Sequence, residues 1–145
     1  MNLDTLYQEV ILDHYKNPLN KKLSPTFDVQ VHHINPSCGD EITLNLTAVD
    51  VVITAITWDG VGCSISQASV SIASDLLMGK TFEQAQAISD EFVDLMQSKG
   101  KKVGDEQTLE DAVALAGVSQ YPARIKCALL GWMAIKDASI QSQTK

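Results

Sequence analysis

Three cysteines and one aspartate are the residues of this chain whose types and spacing could do chemistry. Cys38 and Asp40 stand two residues apart in Asn35-Pro36-Ser37-Cys38-Gly39-Asp40, Cys63 lies in Gly62-Cys63-Ser64, and Cys127 closes Arg124-Ile125-Lys126-Cys127. Thiolates suit Zn(II) or an iron-sulfur cluster, and a carboxylate can complete a four-coordinate tetrahedral set. No Cys-x-x-Cys pair occurs, which excludes a zinc finger or a thioredoxin-like redox motif. As a hard oxygen donor among soft ones, Asp40 is expected to be held most weakly and to leave a position that can open. The competing explanation is three cysteines filling a core. Against it, each lies at the end of an expected element, near Gly, Pro, Asp or Arg, rather than inside an apolar stripe.

Neighbouring residues offer support. Arg124 precedes Cys127 by three positions and shares its helical face, where it could stabilise the thiolate, grip Asp40, or form only a surface ion pair. Lys126 is expected to point elsewhere. Of His32 and His33, one must face away from whatever the other faces, and His33 is an outside candidate ligand. His14, far from any cysteine in sequence, reads as a surface or packing histidine. Ser37, Ser64 and Ser66 lack a histidine at nucleophile-like spacing.

The elements that must position these groups follow from periodicity. Leu3, Leu6, Tyr7, Val10, Ile11 and Tyr15 recur at helical spacing up to Asn17-Pro18, with Asn2 or Asp4 as the cap. Alternation around Phe27 to Val31, Ile42 to Leu46 and Val51 to Trp58 predicts three strands, the last two joined as a hairpin near Asp50. The Cys38 turn then lies at one end of the sheet, and the third strand returns the chain to that end at Cys63. A helix follows, capped by Ser64 or Ser66 and stopped at Gly79; Thr81 and Gln84 form a capping box for the next, which continues or restarts near Ser89-Asp90. Ser98 to Glu106 reads as a mobile connection, and a short helix is expected over Leu109 to Ala116, closed by Gly117. Tyr121-Pro122 opens the last helix. Cys127 in its first turns, and Cys63 at the start of its own helix, should feel a positive dipole end that favours the thiolate. The expected fold is α+β: a small three-stranded antiparallel sheet packed against several helices, with a metal site at one end of the sheet.

With 145 residues, the chain fits a single domain spanning 1–145. Such a domain buries roughly 70% of its unfolded surface. A formal net charge of -7 without any basic block argues against nucleic acid or an anionic membrane surface as the main partner. No apolar run approaches the roughly 18 residues needed to span a bilayer. Met1-Asn2-Leu3-Asp4 lacks the features of a signal peptide, so a cytoplasmic location is expected. Thiols stay reduced there, and disulfides explain an odd set of three poorly.

Asn-Pro-x-Cys-Gly-Asp at 35–40, Gly-Cys-Ser-Ile-Ser at 62–66 and Arg-Ile-Lys-Cys-Ala-Leu-Leu at 124–130 resemble the motifs of the U-type iron-sulfur cluster assembly proteins, the family of IscU, SufU and the amino-terminal part of NifU. Asp13-His14-Tyr15-Lys16-Asn17-Pro18 extends the likeness to the first helix. The chain looks closer to the SufU branch. Extra sequence lies around Met96 to Gly117, and Lys126 stands where IscU-like members carry the histidine implicated in cluster handling. The resemblance implies zinc on Cys38, Asp40, Cys63 and Cys127, and a zinc-dependent sulfurtransferase activity. Sulfur would arrive as a persulfide from a SufS-like cysteine desulfurase, with Cys38 as acceptor and Arg124 as possible support, and pass to downstream cluster assembly proteins. Two other implications stay open: a scaffold assembling a [2Fe-2S] cluster on the same ligands, and a purely structural zinc.

Overall fold

The computed structural model describes residues 3–144. Three antiparallel strands, β1 (Val29–Asn35), β2 (Asp40–Val49) and β3 (Val52–Val61), lie in the order β1-β2-β3. Alternation decides which face is covered. Val29, Val31 and Asn35 on β1 and Asp40, Ile42 and Leu44 on β2 point inward and are buried, while Gln30, His32, Ile34 and Glu41 point outward and are exposed. The third strand is longer than its apolar run suggests, because pairing extends through Glu41 opposite Val61. The β2–β3 hairpin turns at Asp50-Val51, where Asp50 has φ +56°. That turn marks the end of the sheet away from Cys38.

The helices are α1 (Leu3–Lys16), α2 (Ser64–Leu77), α3 (Phe82–Met96), α4 (Glu106–Leu109) and α5 (Pro122–Gln143), with a 3-10 stretch over Glu110–Gln120 between the last two. α5 lies against β1 and β2, α2 lies against β3, and α1 packs on α2 and the 3-10 stretch. Asp4 sits inside the first turn of α1, and the other cap candidate, Asn2, is outside the described residues. The Thr81–Gln84 capping box is present, each side chain meeting the other's backbone N–H at 3.0 Å, and α3 runs on without a restart. Instead of a short helix ending at Gly117, the 3-10 stretch continues to Gln120. Seven of its residues are buried, including Ala112, Leu115 and Val118, so tertiary fit overrides local preference there.

What brings the site together is the crossing of α2 and α5. A Cβ at Gly131 would stand 2.6 Å from Val70 Cβ, so the two helices approach as closely as glycine permits. Trp132 adds a hydrogen bond from Nε1 to Ser69 Oγ at 2.9 Å, and Ser69 donates to the Ala128 carbonyl at 2.6 Å. On its other side Trp132 stacks on Phe92 with centroids 4.2 Å apart. These contacts lie one to two turns beyond Cys63 and Cys127 and hold the starts of both helices beside the sheet end.

Candidate metal centre

Asn35 organises the turn that carries Cys38. Its carbonyl accepts from Cys38 N–H at 3.3 Å and from Gly39 N–H at 2.9 Å, and its side-chain oxygen accepts from Ser37 N–H at 3.3 Å. Gly39 takes φ +72°, a region glycine enters without strain, and the chain re-enters the sheet at Asp40. Cys38 is left exposed at the tip, whereas Asp40 and Cys127 are buried. Donor atoms of Cys38, Asp40 and Cys127 all lie within 4.8 Å of one another, and the Cys38 and Cys127 sulfurs are 3.2 Å apart.

Cys63 enters through a different contact. Its backbone N–H donates to Asp40 Oδ1 at 2.9 Å, and its Sγ accepts from Ser66 N–H at 3.4 Å, so the cysteine itself caps α2. Neither serine expected as the cap fills that role, because Ser64 begins the helix and Ser66 is buried within it. The Cys63 thiol neighbours Cys127 closely enough to raise the latter's pKa, although it stands outside the group of three donors. Gly62 is required for this approach: a Cβ there would come within 2.3 Å of Asp40 Oδ1 and 2.7 Å of Ser66 Oγ.

Two features show that the donor set fits a cation. Asp40 is fully buried, yet its Oδ2 has no hydrogen-bond partner, and a buried polar atom in that state normally costs free energy unless something pairs with it. Thiols face the same point, and soft sulfur with one carboxylate is a donor set for zinc or iron. Burial pushes the Cys127 thiol far above its usual pKa, with the neighbouring Cys38, Asp40 and Cys63 groups adding to the effect. The helix dipole expected to favour the thiolate is outweighed by that burial. A bound cation reverses the balance, since a coordinating thiol is deprotonated outright.

The remaining candidates fall outside. Arg124 is exposed, and its side chain meets neither Asp40, whose Oδ1 accepts from Cys63 N–H while Oδ2 is unpartnered, nor an acid in an ion pair among the described residues. His33 Nε2 pairs with Asp137 Oδ2 at 2.9 Å and His32 Nε2 with Glu41 at 2.6 Å, so neither joins the cluster. His14 is the packing histidine its position suggests, buried against Ser71 and Asp111 at 2.9 Å each. Sequence reasoning misses Asn35, whose Nδ2 lies 3.9 Å from the Cys127 sulfur. The signal lies in the strand alternation, which puts Asn35 on the same inward face as Val31.

Residues 6–128 match the model of the NifU-like N terminal domain. This chain belongs to that family. The zinc-dependent sulfurtransferase SufU of Bacillus subtilis is 46% identical, over 93% of this chain and 90% of its own length. The iron-sulfur cluster assembly scaffold protein IscU of Streptococcus pyogenes is 39% identical, over 94% and 84%. Among solved structures, a candidate cluster assembly scaffold for the SUF system of Fervidobacterium islandicum superimposes with a TM-score of 0.84 at 30% identity, covering 95% of this chain and 99% of that one. The family therefore supplies the α+β fold read from the sequence. No helix among the described residues is long and apolar enough to cross a membrane.

Proposed function

We propose that this protein is a zinc-dependent sulfur acceptor for iron-sulfur cluster assembly, with zinc held by Cys38, Asp40, Cys63 and Cys127. One observation carries the reading: an exposed thiol, Cys38, shares a donor cluster with the buried Asp40 and Cys127. Zinc, when bound, keeps its thiol ligands deprotonated and quiet as nucleophiles. Cys38 is the thiol able to swing toward another molecule, because it rides on a turn, whereas Cys63 and Cys127 are fixed at helix starts. The Cys38 thiolate attacks the outer sulfur of the persulfide on a cysteine desulfurase of the SufS type. A Cys38 persulfide forms, the S–S bond of the donor breaks, and the desulfurase thiolate leaves. Sulfur then passes to downstream assembly proteins, in a cytoplasmic setting where thiols stay reduced.

The similarity to IscU proteins supports a second reading, in which the same four residues carry a [2Fe-2S] cluster. Colourless protein with zinc argues for the first, and a coloured iron species for the second. The direct test uses desulfurase charged with isotopically labelled sulfur. Wild type takes up the label, and Cys38→Ala, with an unchanged circular dichroism spectrum and melting curve, does not. Label on Cys38→Ala overturns the assignment.

A further inference from the structure

We propose that Cys38 and Cys127 also form a redox pair, closing into a disulfide when peroxide reaches the metal-free protein. The two sulfurs are 3.2 Å apart, so closing to a bond of about 2.05 Å requires a movement of roughly 1 Å. Only one partner has to move. Cys127 is buried on α5, while Cys38 is exposed on the turn and a Cβ at the adjacent Gly39 would meet nothing within 4 Å. Exposure also divides the chemical roles: the outer thiol meets the oxidant and the inner one resolves it.

The step balances. Cys38 thiol and hydrogen peroxide give a sulfenic acid and water. The Cys127 sulfur attacks the Cys38 sulfur, the S–O bond breaks, and a second water leaves with the Cys127 proton. Each sulfur loses one electron, and peroxide is the two-electron oxidant. Selectivity follows from distance: the Cys38 and Cys127 sulfurs already meet at 3.2 Å within the close donor group that leaves Cys63 out, while the Cys63 sulfur accepts the Ser66 N–H as a helix cap. A sulfur in the disulfide can neither bind metal as a thiolate nor accept sulfur. The pair therefore acts as an off state, entered only after the metal has left. This inference does not need the sulfur-transfer reading to be correct; it needs only the cluster geometry.

The test takes the whole chain, strips it with a chelator under reducing conditions, removes the reductant and adds hydrogen peroxide. Cleavage after glutamate separates the three cysteines, because Glu9, Glu41, Glu83 and Glu110 place them in segments 10–41, 42–83 and 111–145, which trypsin cannot do for the first two. The expected result is a dithiothreitol-sensitive link between 10–41 and the segment holding Cys127, Cys63 recovered as a free thiol, and loss of zinc uptake until reduction restores it. Cys63→Ser should still form the link, and Cys38→Ser should not. A link through the Cys63 segment overturns the proposal. So does Cys38 driven to sulfinic acid while Cys127 stays free.

Discussion

Two polar clusters, each centred on a buried side chain, differ in a way that separates architecture from chemistry. Around His14, every valence closes. Its Nδ1 meets Ser71 Oγ, its Nε2 meets Asp111 Oδ2, and Ser71 Oγ accepts the Leu19 N–H at 2.8 Å. That network ties α1 and the following loop to α2 and the 3-10 stretch. Around Asp40 the valences stay open: one carboxylate oxygen is unpartnered, and the Cys38 and Cys127 sulfurs beside it meet each other at 3.2 Å. A closed cluster stabilises a fold. An open one, held in place by Gly62, Asn35 and the α2–α5 crossing, is built to receive something.

Mutations can break this contrast from either side. The largest effect should come from Asp40→Ala, expected to lower zinc affinity by more than the roughly 100-fold typical of losing a group that merely supports a ligand. The melting point of the metal-free protein should stay near wild type, because the lost Cys63 N–H contact is offset by removal of an orphaned oxygen. Competition with a chromophoric chelator measures the first quantity and calorimetry the second. His14→Ala should do the reverse, costing about 2–3 kcal/mol in denaturant unfolding through a cavity and a stranded hydroxyl, with zinc affinity unchanged.

Gly131→Val tests the crossing itself. Overpacking against Val70 should cost about 1–3 kcal/mol, and it should weaken zinc binding by splaying the helix starts. Stability lost without any change in zinc binding would show that the crossing does not position the site. The smallest effect concerns the His33–Asp137 pair. Hydrogen bonds from His33 and Gln141 hold the Asp137 carboxyl below its ordinary range. A depressed carboxyl contributes stability that is complete above pH about 4 and fades as pH falls below it. Asp137 is partly exposed, so Asp137→Asn should remove about 0.5 kcal/mol or less at neutral pH. The difference from wild type should vanish in acid, as read from unfolding midpoints across that window.

Much of this contrast is legible in the amino-acid sequence. Alternation locates the strands, Thr81 with Gln84 and Tyr121-Pro122 mark helix starts, and topology alone carries Cys38 and Cys63 to one end of the sheet. What escapes depends on partners distant in sequence. The His14 bonds join positions 57 and 97 residues away, and no local pattern encodes them. Cys63 as a cap is hidden because two serines, Ser64 and Ser66, follow it closely and sulfur is an uncommon capping atom. The Cys127 shift runs opposite to expectation for a related reason: the helix dipole is visible in sequence, whereas the burial that outweighs it is created by α5 packing on the sheet.

The central claim is that the open cluster holds zinc. Metal analysis of wild-type protein purified without added metal, paired with alkylation of its thiols before and after chelation, tests it most directly. The account predicts zinc equimolar with the chain and cysteines that become fully reactive only once the metal is removed. Folded protein with little zinc and freely reactive thiols from the outset would contradict it.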